Sequence, residues 1–148
     1  MTGPVLALGG PDAAITDDEM GEALDRLVEG SGRPARVLLV PPDHTRTHGR
    51  AGPITSALYR RFTTAGSQVA VLPALGTHRP MREDQIASMF GPSVPPDRVL
   101  QHRWRDGVVR LGEISAAEMA ALSGGATAEA VPVDVSEILL DGWDLVVS

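Results

Sequence analysis

Two short, largely aliphatic runs constrain this chain more than any other feature. Residues 35–40 and 68–75 are each dominated by Val, Leu and Ala, and each gives way to Pro or Gly and then to a polar loop. Runs of that length without polar alternation suit strands covered on both faces, as in a parallel sheet. Around them the pattern becomes helical. Residues 15–29 open with Thr16, Asp17, Asp18 and Glu19, a capping box with acidic residues in the first turn. Met20, Ala23, Leu24, Leu27 and Val28 then share one face until Gly30, Ser31 and Gly32 stop the helix. Pro53 opens a second predicted helix with Ile54, Ala57, Leu58, Phe62 and Ala65 as its inner stripe, ended by Gly66. A third helix is predicted over 82–90 and a short one over 116–122. Further strands are predicted from 99–100, over 108–114, 131–135 and 145–147, with a helical turn at 136–140.

This alternation predicts an α/β fold, a mostly parallel sheet with flanking helices and Rossmann-like layering. Residues 1–148 are expected to form a single α/β domain. Because residues 144–148 read as a buried strand with no turn after it, the expectation is that this domain is the N-terminal part of a longer two-domain enzyme.

Composition removes several classes of chemistry. Without cysteine the chain can form no disulfide, thiolate metal site or cysteine nucleophile. All 13 basic residues are arginine, so Schiff-base and phosphate-loop lysines are excluded. Arginine clamps carboxylates and phosphates but does not shuttle protons. A net charge of −6 and 3% aromatic content argue against nucleic-acid binding, which draws on basic stripes and stacking rings. The apolar runs are far shorter than the roughly 20 residues a membrane-spanning helix needs.

In parallel sheets, ligands sit beyond the carboxyl ends of the strands. Two polar loops hold that position, 43–50 and 76–79, and together they carry three of the four histidines. In the second loop Gly76 allows a sharp turn, Thr77 can hold that turn through its hydroxyl, and His78 projects with Arg79 beside it. Histidine exchanges protons near neutral pH, and Arg79 complements an anion. The same loop also reads as a surface turn in which His78 caps the next helix. In the first loop, Arg46 can fork onto a carboxylate or phosphate, and Asp43 can orient Arg46 or His78. Equally, Asp43 can bond its own backbone and pair with Arg46 in a self-contained turn. His44 and His48 have helical metal-ligand spacing but lie outside any helical pattern, so no metal site is assigned to them. His102 falls in a segment read as a solvated turn where arginines can stack on Trp104. Glu137, Asp141 and Asp144 read as a solvated face. The glycine pairs at 9–10 and 124–125 do not match a dinucleotide fingerprint.

Taken together, Asp43-His44-Thr45-Arg46 after one buried strand and Gly76-Thr77-His78-Arg79-Pro80 after the next resemble the N-terminal domain of the lactate racemase family, the nickel-pincer nucleotide-dependent racemases and epimerases of 2-hydroxy acids. The likeness runs from about residue 36 onward. It implies an isomerase in which hydride passes from the substrate α-carbon to the nickel-pincer cofactor while a histidine takes the hydroxyl proton. His78 matches one of the family's acid/base histidines and Arg46 its carboxylate-gripping arginine, with Asp43, Thr45, Thr77 and Arg79 in supporting or substrate-binding positions. The family's cofactor-anchoring lysine, second acid/base histidine and nickel-ligating histidine have no counterpart here. The resemblance therefore implies no cofactor bound to this domain alone, and an isolated domain that is inert. The chain departs from the family at Thr47, where proline is usual, and at His44, where an acidic or small residue is common. The expected partners are a small 2-hydroxy acid and the enzyme's own C-terminal domain, in the cytoplasm, with no nucleic acid and no membrane. The alternative is a non-catalytic domain whose loops hold an anion or nucleotide.

Overall fold

The computed structural model describes residues 9–148; residues 1–8 of the expected domain lie outside the described part. In chain order the elements are α1 (Asp17–Gly30), β1 (Arg36–Leu39), a 3-10 turn (His44–Gly49), α2 (Ala51–Thr64), β2 (Gln68–Val71), α3 (Glu83–Phe90), β3 (Val108–Ile114), α4 (Ala116–Leu122), β4 (Val131–Ser136), a second turn (Glu137–Leu140) and β5 (Leu145–Val147). The capping box forms as predicted: the Thr16 side chain accepts from Glu19 N–H and the Glu19 carboxylate accepts from Thr16 N–H.

β1 is the centre of a three-stranded parallel sheet with β2 and β5 on either side. Val37 lies opposite Val69 and Leu145, and Leu39 opposite Val71 and Val147. With a side-chain period of two, these residues share one face. Leu24 of α1, Leu58, Tyr59 and Phe62 of α2, and Ile86, Met89 and Phe90 of α3 pack against it. The opposite face, Leu38 and Ala70 with Leu72 beyond β2, is covered by Leu100, Ile138, Leu139 and Trp143. The three large helices therefore lie on one side of the sheet, and an irregular segment serves as the other layer.

Arg36 fastens that segment. Its guanidinium donates to the Asp141 carbonyl at 2.5 Å and to the Asp141 carboxylate at 3.0 Å, and it lies over the Trp143 ring at 4.6 Å. Its backbone N–H donates to the Asp144 carboxylate at 2.8 Å. Asp141 and Asp144 are exposed, as expected of a solvated face, and in addition they clasp this segment to β1.

Other expectations are corrected. β3 and β4 do not join the parallel sheet; they pair antiparallel as a separate two-stranded unit with an irregularity between Arg110 and Gly112. The predicted strand from 99 is a single bridge, Val99 to Val71, at the sheet edge. Helix α2 begins at Ala51, two residues before Pro53, and Ala65 is exposed, whereas Gly52, Thr55 and Tyr59 join the buried face. Gly52 lies against α3 so closely that a Cβ there would sit 2.2 Å from the Met89 carbonyl oxygen. That approach, invisible in the helical periodicity, sets how α2 and α3 meet.

Candidate functional site

The site forms where β1 and β2 end. Pairing continues beyond both strands: Leu72 N–H donates to Leu39 O and Ala74 N–H to Pro41 O, each at 2.8 Å, with a parallel bridge between Pro42 and Ala74. This extension carries the two loops outward side by side and brings Asp43 to His78.

Asp43 is 3% exposed and fully engaged. Its Oδ1 accepts from the Thr45 N–H at 3.1 Å and the Thr45 hydroxyl at 2.5 Å, and its Oδ2 lies 2.6 Å from His78 Nδ1. Burial pushes the carboxyl up, but donors from the Thr45 hydroxyl, His78 and the Thr45 N–H outweigh it and hold the group at about 2. Asp43 is therefore a carboxylate at neutral pH and can only accept hydrogen bonds. His78 Nδ1 must then carry a proton, so the nitrogen that can offer a lone pair is Nε2. With 59% of the His78 side chain exposed, the ring is oriented on one side and open on the other. A buried carboxylate fixing the tautomer of an accessible imidazole is the arrangement a general base requires.

Arg46 sits at a kink in the 3-10 turn, with φ −112° and ψ 36°. It is exposed and has no carboxylate partner among the described residues. Asp43, Thr45, Arg46, Thr77 and His78 line one cleft of about 600 Å³. Of the two partners the sequence left open for Asp43, the structure selects His78 over Arg46, and the guanidinium remains available.

The second loop is closed by His78 N–H donating to Leu75 O at 2.9 Å, rather than by the Thr77 hydroxyl. His78 does not cap α3; Arg82 occupies that position, and the Gln85 side chain accepts from its N–H at 2.9 Å. Thr77 and Arg79 are exposed, and Arg79 faces a neighbouring cleft with His102, Arg103, Trp104 and Arg105. That cleft was missed from the sequence. Its only signal was the clustering of arginines about Trp104, and the Arg105 guanidinium does lie 3.9 Å from the ring centroid.

His44 and His48 do not converge. His44 Nε2 accepts from the Gln85 amide at 2.7 Å, while His48 is exposed. Among the described residues no group of three or more His, Cys, Asp or Glu could hold a metal ion, and no helix is long and apolar enough to cross a membrane.

Comparison with known proteins places the chain in a family. A crystal structure of a protein from Thermotoga maritima superposes with a TM-score of 0.75 at 27% identity, covering 88% of this chain and 32% of the other. The chain thus spans about a third of that protein's length. No curated relative matches it significantly. The family model for the lactate racemase N-terminal domain matches residues 13–132, which includes both loops and the first four helices. The chain belongs to the lactate racemase N-terminal domain family.

Proposed function

We propose that this chain is the part of a 2-hydroxy acid racemase or epimerase that grips the substrate carboxylate and handles its hydroxyl proton. The observation that carries this reading is the Asp43–His78 pair at 2.6 Å in the same cleft as Arg46, which has no carboxylate partner among the described residues. The guanidinium of Arg46 forks onto the carboxylate through two parallel N–H donors. His78 Nε2 would take the hydroxyl proton while the α-hydrogen, with its electron pair, would pass to a hydride acceptor that the whole enzyme supplies outside this chain. Asp43 stabilises the imidazolium that results, without itself becoming protonated. In the return step His78 gives the proton back to the carbonyl oxygen.

Family membership implies a nickel-pincer nucleotide as hydride acceptor in the whole enzyme. The residues of this chain do not fit its attachment: there is no lysine to anchor it, and the described residues gather no ligand set for the metal. The chemistry of this chain is accordingly confined to the carboxylate and the hydroxyl proton. The same division supports the reading that the domain works with a second one and is inert by itself.

The test is His78→Ala in the full-length, cofactor-loaded enzyme, assayed for racemisation or epimerisation across a panel of 2-hydroxy acids. Loss of a positioned general base costs about 10²–10⁴-fold in rate. Turnover within a few-fold of wild type on every active acid would refute the assignment.

A further inference from the structure

The second cleft adjoins the first across the histidine. Its volume is about 570 Å³, and Thr77 and His78 line both clefts. Arg79, Arg103 and Arg105 line it with one carboxylate, Asp106, and the Glu137 carboxylate lies 4.0 Å from the Arg103 guanidinium. In a chain of net charge −6, this is a local concentration of positive charge. Arg103 is already occupied, donating to Asp106 at 3.1 Å. Arg79 and Arg105 have no carboxylate partner among the described residues, and the Arg105 guanidinium lies over the Trp104 ring at 3.9 Å from its centroid. A stacked guanidinium keeps its edge donors free for an anion.

The wall of this cleft is preformed. Leu100 N–H donates to Val71 O at 2.7 Å, which ties the segment before the loop to the sheet edge. Gly107 N–H donates to Arg103 O at 2.7 Å, and Glu137 N–H donates to Gly107 O at 3.0 Å. A Cβ at position 107 would come within 2.9 Å of Arg103 Cβ, so the turn depends on glycine.

A monocarboxylic acid would use Arg46 and leave this basic wall idle. We infer that the substrate is a 2-hydroxy acid with a second anionic group, carboxylate or phosphate, that spans His78 from Arg46 to Arg79 and Arg105. This rests on the function proposed above and adds to it the substrate class.

Calorimetric titration of the full-length protein at low salt with lactate, malate and 3-phosphoglycerate tests it. All three are 2-hydroxy acids; only the last two carry a distal anion, and they separate carboxylate from phosphate. The expected result is that one or both bind about tenfold or more tightly than lactate, as one added charged contact provides. Arg79→Gln combined with Arg105→Gln should bring that ratio toward one, whereas Arg26→Gln, which removes a remote charge on α1, should leave it. Both positions are exposed, and circular dichroism of each variant checks the fold. Equal binding of the three acids, or a preference that survives in the double variant, overturns the inference while the proposed function stands. If Arg46→Gln leaves lactate binding intact, the carboxylate grip itself is wrong and the bridging pose falls with it. Failure of all three acids to bind overturns both.

Discussion

Replacing Gly52 with alanine isolates the contact that seats α2 against α3. On helix propensity alone the change stabilises by up to about 1 kcal/mol, because glycine loses more backbone entropy on folding. The structure reverses that sign. The new methyl would lie 2.2 Å from the Met89 carbonyl oxygen and 3.1 Å from both the Met89 carbonyl carbon and Cγ. Only movement of one helix away from the other relieves this. That movement would pull on the Ser56 hydroxyl, which donates to Phe90 O at 2.6 Å, and on Met89 and Phe90 in the core. Overpacking of this kind costs about 1–3 kcal/mol, and a backbone obstacle places it at the upper end. The net expectation is a loss of about 2 kcal/mol, or about 4–8 °C in Tm for a chain of this size. Gly30→Ala is the matched control: nothing lies within 4 Å of its Cβ position at the end of α1. It should stabilise by about 0.4–1 kcal/mol. Urea and thermal unfolding of the two variants should therefore move in opposite directions. Trimming the neighbour with Met89→Ala should not rescue Gly52→Ala, because the closest atom belongs to the backbone. A Gly52→Ala protein as stable as wild type would refute the reasoning.

Acid unfolding should carry the signature of Asp43. Its folded pKa of about 2 lies below the ordinary 3.8, so its stabilisation is complete above about pH 4 and is lost as pH falls through about 2. The amount is about 2 kcal/mol, and Asp43→Ala should flatten that limb of the stability–pH profile; an unchanged acid limb would contradict the assignment. Asp43→Asn in the full-length enzyme presents an amide donor to His78 Nδ1, moves the ring proton to Nε2, and should lower kcat by as much as about 10⁴-fold with a smaller change in KM. A variant with normal kcat would show that the tautomer does not matter. Arg46→Lys keeps the charge but loses the fork, and should raise KM about tenfold or more; an unchanged KM would remove Arg46 from the carboxylate grip.

Much of this protein is legible along the chain because its signals are local. The Thr16–Glu19 box, the aliphatic runs about Val37 and Val69 and the Leu58–Phe62 part of the α2 stripe each depend on residues within a few turns, and each reappears in the fold. Both site loops could also be placed, since strand ends in a parallel sheet are where ligand loops lie. The pairing of β3 with β4, by contrast, joins strands about α4 whose alternation is equally compatible with the main sheet. The layer on the sheet's other face is held by Arg36 bonding to Asp141, a contact between positions more than 100 apart.

The same division holds at the site. Sequence alone determined which groups are available for chemistry: a histidine to move protons, arginines to hold anions, and no lysine or cysteine. It could not choose the partner of Asp43, because Arg46 is three residues away and His78 thirty-five. Tertiary structure made that choice by continuing the β1–β2 pairing through Pro42 and Ala74, which delivers the imidazole to a buried carboxylate and leaves the nearer guanidinium facing the cleft. Proximity along the chain governs turns and caps, whereas the register of a parallel sheet governs which side chains meet at its rim.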